Sequence, residues 1–388
     1  MSPPHQKEDV MTMQFKVLAG NHDRRSAFVS IPLEQPSTGG RLTHERGDEV
    51  PCQVDAGRLW LRVDRLAAGA SAGYTFEPDA PATRRRGVRF RHDEAQGTVD
   101  VTVGTRRFTT YHYHTLPDTD SPRPYFFPII GPSGASMTRA YPMQTLDGEN
   151  HDHKHHRSVW VAHGDLNGCD LWTEEPGHGV QVHREFVEVE GGPLWGRLVE
   201  RLTWEDAERQ PIINESRTVA FYATSDPIRI VDLTVHFTAD HGPVSFGDTK
   251  EGGICSIRIA TTMDGNKGGR IVSSVGGVGE TECWGRPAHW IDYSGQAEDQ
   301  HVGVAIFDHP MNLRSPTPWH VRDYGLFSAN PFGHGDYQQS LLTNGTHVVE
   351  AGASLTFRYR MLWHKADERK ANVGGHYHNW VNPPAVES

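Results

Sequence analysis

Cysteine is scarce in this chain of 388 residues: Cys52, Cys169, Cys255 and Cys283 stand singly, with no CxxC spacing among them. That excludes a zinc ribbon and a disulfide framework, so the four read as reduced thiols. No run approaches the roughly 18 apolar residues that a membrane helix needs. The opening MSPPHQKEDVMTMQF also lacks the apolar centre of a signal peptide, so a cytoplasmic chain without a membrane partner is expected. Positive charge is in deficit, with Lys+Arg 38 against Asp+Glu 49 and a net charge of −11, which argues against nucleic acid as a partner. The one compact basic run, Arg84-Arg85-Arg86, reads as a solvated hairpin end. Nucleotide signatures are missing too: there is no GxGxxG between strand and helix, no GxxxxGK[ST], and no GxSxG elbow.

Turns and aromatics are plentiful, with Gly 40, Pro 25, 10 Trp, 11 Tyr and 15 Phe, the composition of many short strands joined by tight turns. No amphipathic helix of three turns stands out in the first 120 residues. Alternating runs do: in RLWLRV (Arg58 to Val63) apolar and polar positions separate with period two, the mark of a half-buried strand. The runs Val180 to Gly191, Leu194 to Asp206, Pro211 to Ala223 and Ile228 to Asp240 predict one meandering antiparallel sheet, with a bulge near Phe186 where the alternation slips. The expected fold is all-β, a large antiparallel β-sandwich. Residues 1–12 are expected to be a disordered leader, 13–120 an N-terminal β region packed on the main sandwich, 121–366 the sandwich carrying the site, and 367–388 a polar tail.

The chemistry concentrates between Arg123 and Trp172. Five of the 24 histidines, His151, His153, His155, His156 and His163, fall within thirteen residues, interleaved with Asp152, Lys154 and Arg157. Imidazole titrates nearest neutrality and is the commonest metal ligand, so such a knot is a candidate for proton transfer or metal binding. A strand from His156 to His163 would put Arg157, Val159, Val161 and His163 on one face and His156, Ser158, Trp160 and Ala162 on the other. His153 and His155, two apart in an extended segment, are candidate metal ligands, with Zn, Mn and Fe equally open.

Two later segments carry further candidates. In FGDTKEGG, Lys250 and Glu251 sit at the entrance to an apolar strand, where Glu251 is a candidate base and Lys250 a candidate oxyanion partner. In FDHPMNLRSPTPWHVRDYGLFSANPFG, prolines stiffen a loop holding His309, His320, Arg322, Tyr324 and Asn330. Flat rings with planar donors are the groups that bind a sugar. His156, His163, Lys250, Glu251 and His320 are therefore the candidate catalytic residues, and Asp165, Asn167, Trp172, His309, Arg322, Tyr324 and Asn330 the candidate substrate contacts.

The stretches RPYFFPIIGPSGASMTRAYP, DHKHHRSVWVAHGDLNG, DTKEGG, IFDHPMN and PTPWHVRDYGLFSANPFG resemble the bacterial family labelled "methane oxygenase PmoA-like", over roughly Arg123 to His364. The label does not suit a chain with no spanning segment. The resemblance implies a β-rich protein whose relatives are encoded near sugar oxidoreductases and sugar isomerase-like proteins, hence carbohydrate catabolism. By analogy the sandwich is expected to be similar to the supersandwich of galactose mutarotases. The function expected is cleavage of a keto-glycoside by histidine and glutamate acid–base chemistry, as a lyase or hydrolase, with or without a divalent metal. Two alternatives stay open, a sugar epimerase or mutarotase and a noncatalytic carbohydrate-binding subunit, as does assembly into a homo-oligomer.

Overall fold

The computed structural model describes residues 12–83, 86–116, 119, 121–224, 227–339 and 342–388. The expectations for the leader and for the arginine run fall, apart from Thr12 and Arg86, outside the described residues. The chain folds into two compact units, one taking in the chain up to Gly87 with Gly192–Leu194 and Gly375–Ser388, the other Val88–Gly191 with Trp195–Gly374.

In the first unit a five-stranded sheet (Met13–Leu18, Gly40–His44, Glu49–Val50, Ser71–Pro78, Ala385–Glu387) accompanies a three-stranded one (Arg24–Pro32, Cys52–Asp55, Arg58–Leu66). The alternation of RLWLRV is realised: Leu59, Leu61 and Val63 enter a core with Phe15, Val17, Leu42 and Phe76, while Trp60 and Arg62 stay partly exposed.

The second unit holds two eight-stranded antiparallel sheets. One is the expected meander: Val180–Glu190, Trp195–Glu205, Pro211–Tyr222 and Ile228–Thr238 lie side by side, continued by Ser354–Lys365, Gln300–Asp308, Trp290–Ala297 and Arg270–Ser273. The slip near Phe186 is a pair of register shifts, between His183 and Glu185 and between Phe186 and Glu188. The other sheet runs, in spatial order, Trp319–Val321, Leu326–Ala329, Gly252–Arg258, Val159–His163, Tyr125–Phe126, Arg106–His112, Thr98–Val103 and Val88–Asp93. Among the described residues helix is confined to short pieces such as Gly279–Cys283, His334–Gln338 and Val373–Val381, and no helix is long and apolar enough to cross a membrane. The architecture is all-β with large antiparallel sheets.

A single apolar core joins the two sheets, with Tyr111, Phe126, Val159, Ile257 and Phe327 from one and Leu198, Val219, Leu233, Ile306 and Phe357 from the other. Ionised groups are threaded through it. Arg217 donates to both carboxylate oxygens of Glu215, at 2.6 and 2.9 Å, to the Tyr111 hydroxyl at 3.2 Å and to Gln181 at 3.2 Å. Glu215 also accepts from the Trp204 indole at 2.6 Å. A buried charge is tolerated because its partners replace water, and removing one partner strands the other. Glu215→Leu is therefore expected to lower unfolding free energy by about 3–5 kcal/mol. Urea unfolding of the variant checks this, and a loss below about 1 kcal/mol would show that the network contributes little.

Candidate functional site

Register builds the floor of the site. Residues opposite one another in an antiparallel ladder share a face, and one such row crosses the sheet: His320 opposite Ser328, Ser328 opposite Ser256, Ser256 opposite Trp160, Trp160 opposite Tyr125, Tyr125 opposite His112, and His112 opposite Thr98. Their neighbours in sequence, Val321, Phe327, Ile257, Val159, Phe126 and Tyr111, point the other way into the core between the sheets. The His320–Thr98 row thus lies on the outer face. Above it packs a second apolar cluster with Leu116, Phe127, Trp172 and Leu326.

The histidine knot lies over this face as a loop whose backbone is gripped by buried arginines. Arg139, with no exposed surface, donates to the carbonyls of Tyr141 at 3.0 Å, Asp152 at 2.9 Å and His153 at 2.9 Å, with longer bonds to those of Asn150 and His156 at 3.4 and 3.5 Å. Arg123 donates to the carbonyls of His155 at 3.2 Å and Trp172 at 3.0 Å and, with Arg157, pairs with Glu174. On the far side Asn150 donates to Asp264 at 2.9 Å. His153, in the midst of this, has φ of +42°, a conformation that a residue with a Cβ rarely adopts.

The Asp152 carboxylate is the electrostatic centre. It accepts from Arg139, from Arg258 at 2.8 Å, and stands 3.2 Å from His153 Nδ1. Burial would raise its pKa, but the His153 hydrogen bond and the charges of Arg258 and Arg139 outweigh that and hold it well below the usual carboxylate range. Arg258 also donates to His156 Nδ1 at 3.0 Å. The rings form a column: Tyr324 lies against His153 (4.9 Å, 13°), His153 against His156 (4.8 Å, 4°), and His156 against Trp160 (5.2 Å, 23°). Arg258 and Arg322 lie 4.8 and 5.5 Å from the Tyr324 ring centre.

The two later segments reach the same place. Burial and then Arg322 and Lys250 push His320 down to about 3, and the Tyr324 hydroxyl, raised to about 12 mainly by burial, senses Arg322, Arg258, Glu251 and Asp152. Lys250 Nζ and Glu251 Oε1 stand 3.8 Å apart, with 44% and 39% of their side chains exposed; those of Asp152 and His153 are each 38% exposed. His153, Asp152, Lys250 and Glu251 therefore form the accessible rim, while His156 (1% exposed) and His320 (2%) lie beneath it.

Other candidates are placed elsewhere or in other roles. His163 sits in the inner core against Phe246 and Phe332, its Nε2 3.1 Å from the Gly247 carbonyl, because the strand begins at Val159, beyond His156, and the alternation that turns Trp160 and Ala162 outward turns His163 inward. His309 caps a turn on the meander sheet, accepting from the Met311 amide at 3.1 Å, with Arg358, Asp232 and Arg360 as its charged neighbours. Asp165 and Asn167 are turn residues: Asp165 accepts from the Gly168 amide, and Asn167, at φ +54°, accepts from the Ser245 amide. Asn330 is fully buried and donates to the carbonyls of Thr249 and Lys250, which positions the Lys250 turn from below. Trp172 has no exposed surface and packs under His155 and His156, so it supports the loop and offers no stacking face. Among the described residues no three His, Cys, Asp or Glu side chains are arranged to hold a metal ion; His153 and His155 have no third ligand.

A model described as "Family of unknown function (DUF6807)" matches residues 98–378. The chain belongs to that family. The match takes in the whole outer-face row and every residue of the rim, so the site of this DUF6807 member lies inside the family's own span. Similar solved structures include a protein in glycosyl hydrolase family 38 from Enterococcus faecalis (TM-score 0.44, 10% identity, covering 97% of this chain and 47% of that one). An alpha-mannosidase from Enterococcus faecalis V583 is similar to the same degree (0.44, 11% identity, 97% and 46%). The alpha-galactosidase from Lactobacillus brevis is more distant (0.35, 9% identity, 73% and 40%). The chain spans about half the length of the first two of these. No curated protein sequence matches the chain.

Reasoning from sequence missed Arg139, Arg258, Arg123 and the role of Asp152. Arg258 in ICSIRIA and Arg139 in SMTRAYP look like outward-facing charges on strands; the one available signal is that each is a lone cation inside an apolar run. The buried imidazoles set a pH dependence. Burial, the largest cause in each, brings His163 to about 4 and His320 to about 3 and holds His156 well below its ordinary value. Above the unfolded value of about 6.5 neither state binds these protons and stability is full; below it the unfolded chain takes up protons that the folded chain refuses, costing about 1.4 kcal/mol per pH unit per histidine. His364 opposes this: burial lowers its pKa, but Asp292 at 2.6 Å more than offsets that, so its contribution is present below about pH 6.5 and is lost as pH rises through the folded value. His155, which burial also brings to about 3, acts in the same direction, so urea midpoints are expected to be clearly lower at about pH 5 than at about pH 7.5. Equal midpoints would contradict neutral, buried imidazoles.

Proposed function

We propose that this protein performs proton transfer on a carbohydrate, with His153 as the group that exchanges the proton. The observation that carries the reading is the Asp152–His153 pair at the exposed rim, its carboxylate held ionised by Arg139 and Arg258. An ionised partner at Nδ1 fixes the tautomer with hydrogen on that nitrogen, which leaves the Nε2 lone pair as the base. The carbohydrate setting implied by the family resemblance supplies the substrate class, and the most concrete reaction is loss of the aglycone from a keto-glycoside.

A ketone beside the reacting carbon acidifies its C–H bond. His153 Nε2 takes that proton, and the C–H electron pair becomes the enolate, whose oxygen is met by the ammonium of Lys250 or the guanidinium of Arg322. Collapse of the enolate forms the C=C bond and breaks the bond to the aglycone oxygen, and the His153 imidazolium returns its proton to that oxygen. Asp152 stabilises the transient imidazolium. His156 and His320 serve as buried, uncharged supports. Burial lowers the pKa of both, so near neutrality they are uncharged, weak bases without an imidazolium proton to give, which moves the acid–base role from His156 to His153.

His153→Gln is expected to reduce turnover of a keto-glycoside by about 10²–10⁴-fold with the fold intact. Asp152→Asn should act in the same direction, since it removes the charge that orients the ring. The check is aglycone release from oxidised and unoxidised forms of the same glycoside, run in heavy water. Release only from the oxidised form is the expected result. Equal release from both would reject the enolate route, and deuterium incorporation without release would indicate epimerisation instead. If His153→Gln matches the parent protein in every assay, the noncatalytic binding role stands.

A further inference from the structure

The outer-face row does not stop at the histidine column. Beyond Trp160 it passes to Tyr125, His112 and Thr98. There, a cavity of about 280 Å³ opens on the same face, lined among others by Gln96, Thr98, His112, Tyr125, Phe127 and Gln144. We propose that this cavity is a second subsite, which holds a neutral, ring-sized, hydroxylated group, a further sugar ring of the substrate whose reacting ring lies at His153. The inference rests on the proton-transfer reading for the identity of that substrate.

Three observations carry it. Charged side chains make up 22% of the chain, yet no Asp, Glu, Lys or Arg lines the cavity. Instead it offers two glutamine amides, the hydroxyls of Thr98 and Thr115, two imidazoles, and the rings of Tyr125 and Phe127. A phosphate or carboxylate finds no cation there, whereas hydroxyl groups find donors and acceptors; the rings of Tyr125 and Phe127, 3% and 5% exposed, add an apolar floor. Burial, the largest cause, lowers the pKa of His112 and outweighs the Phe127 carbonyl 3.0 Å from its Nε2, which raises it.

Size and placement are the second and third. Pockets for drug-sized ligands start at about 300 Å³, so a cavity of this volume lies at the small end and takes about one ring. Trp160, which ends the histidine column, is one strand from Tyr125 and two from His112. At about 4.8 Å per strand that is about 10 Å from Trp160; His153 stands two ring spacings away along the column, 4.8 and 5.2 Å, so the glycoside that reaches both places is a disaccharide or longer. The segment that makes the rim also makes the cavity wall: Met143 and Gln144 line it, and Asp152 and His153 follow in the same loop.

The test needs no turnover. Met143 lines the cavity, and a protein with 8 methionines labelled at the methyl carbon gives it a resolvable signal. A panel of neutral methyl glycosides, mono- and disaccharides in gluco, galacto and manno configuration, is titrated against that resonance, with the corresponding sugar phosphates as the charged control. At least one neutral glycoside is expected to shift the Met143 signal saturably. Gln144→Trp, an exposed position at the cavity edge, is expected to weaken that binding tenfold or more. Should Gln144→Trp fail to fold, Gln96→Ala serves, with a weakening of threefold or more. No shift from any neutral member, equal response to the sugar phosphates, or unchanged affinity in the folded variant would overturn the subsite. Failure of the proton-transfer reading shows separately, as unimpaired turnover in His153→Gln.

Discussion

Two buried guanidiniums govern this molecule's chemistry. Arg139 and Arg123 each sit out of water; Arg139 replaces its lost hydration largely with backbone carbonyls of the histidine loop, and Arg123 with the carbonyls of His155 and Trp172 and the carboxylate of Glu174. Neither side of that exchange is stable alone, since a desolvated guanidinium without acceptors and a covered loop with orphaned carbonyls are both costly. Together they leave the loop one conformation. That is how His153 can be held at φ +42°, a backbone state that costs of order 1–3 kcal/mol and persists only where the surroundings over-determine it. The strain falls on the residue that carries the accessible imidazole.

The same arginines set the charge pattern. Four cations, Arg123, Arg139, Arg258 and Arg322, surround the imidazoles, and with burial they keep His155, His156 and His320 unprotonated. Asp152 experiences the opposite consequence and stays ionised. The knot that looks like five equivalent histidines is therefore differentiated by position. His155 and His156 are neutral packing and hydrogen-bonding groups, His163 is a core residue on the other face, and His153 alone both touches the carboxylate and faces solvent. His155 stands edge-on to both His153 and His156, with ring centres 5.7 and 4.5 Å away, and among the described residues the three do not form a metal-ligand group.

How much of this was legible depends on the range of the interaction. Period-two alternation is local, and the four meander strands fall within a residue or two of where the apolar pattern puts them, with the slip at Phe186 included. The two faces of Val159–His163 were also separable by parity. Which face is inner was not, because that is decided by Phe246 and Phe332, far along the chain. Asp165, Asn167 and Asn330 carry ligand-like side chains but spend them on backbone groups: Asp165 on its own turn, Asn167 and Asn330 on Ser245 and on Thr249, segments distant in the chain that local pattern cannot bring together. Arg258 misleads for the converse reason: a cation in an apolar strand looks solvent-facing until a distant loop brings Asp152 and His156 over it.

The run Lys250-Glu251-Gly252-Gly253 links the accessible rim to the sheet beneath it. The first pair stands at the accessible rim; the second begins the strand beneath it. Between Trp160 and Ala162 the partner residue moves from Ser256 to Gly253, so the ladder carries a bulge there. A Cβ on Gly253 would lie 1.8 Å from Ser328 Oγ and 2.3 Å from Ser256 Oγ, and one on Gly252 2.8 Å from His163 Nδ1. Glycine is needed because two serines of the outer row and a core histidine close in from both faces at the point where the strand leaves the turn. The bulge lets Ala162 remain on the outer face and His163 on the inner one while the strand start is displaced toward the turn. A charged pair and a glycine pair, adjacent in sequence, thus act as one device: the glycines let the strand pass under the row, and the strand then delivers Lys250 and Glu251 to the edge where His153 and Tyr324 are waiting.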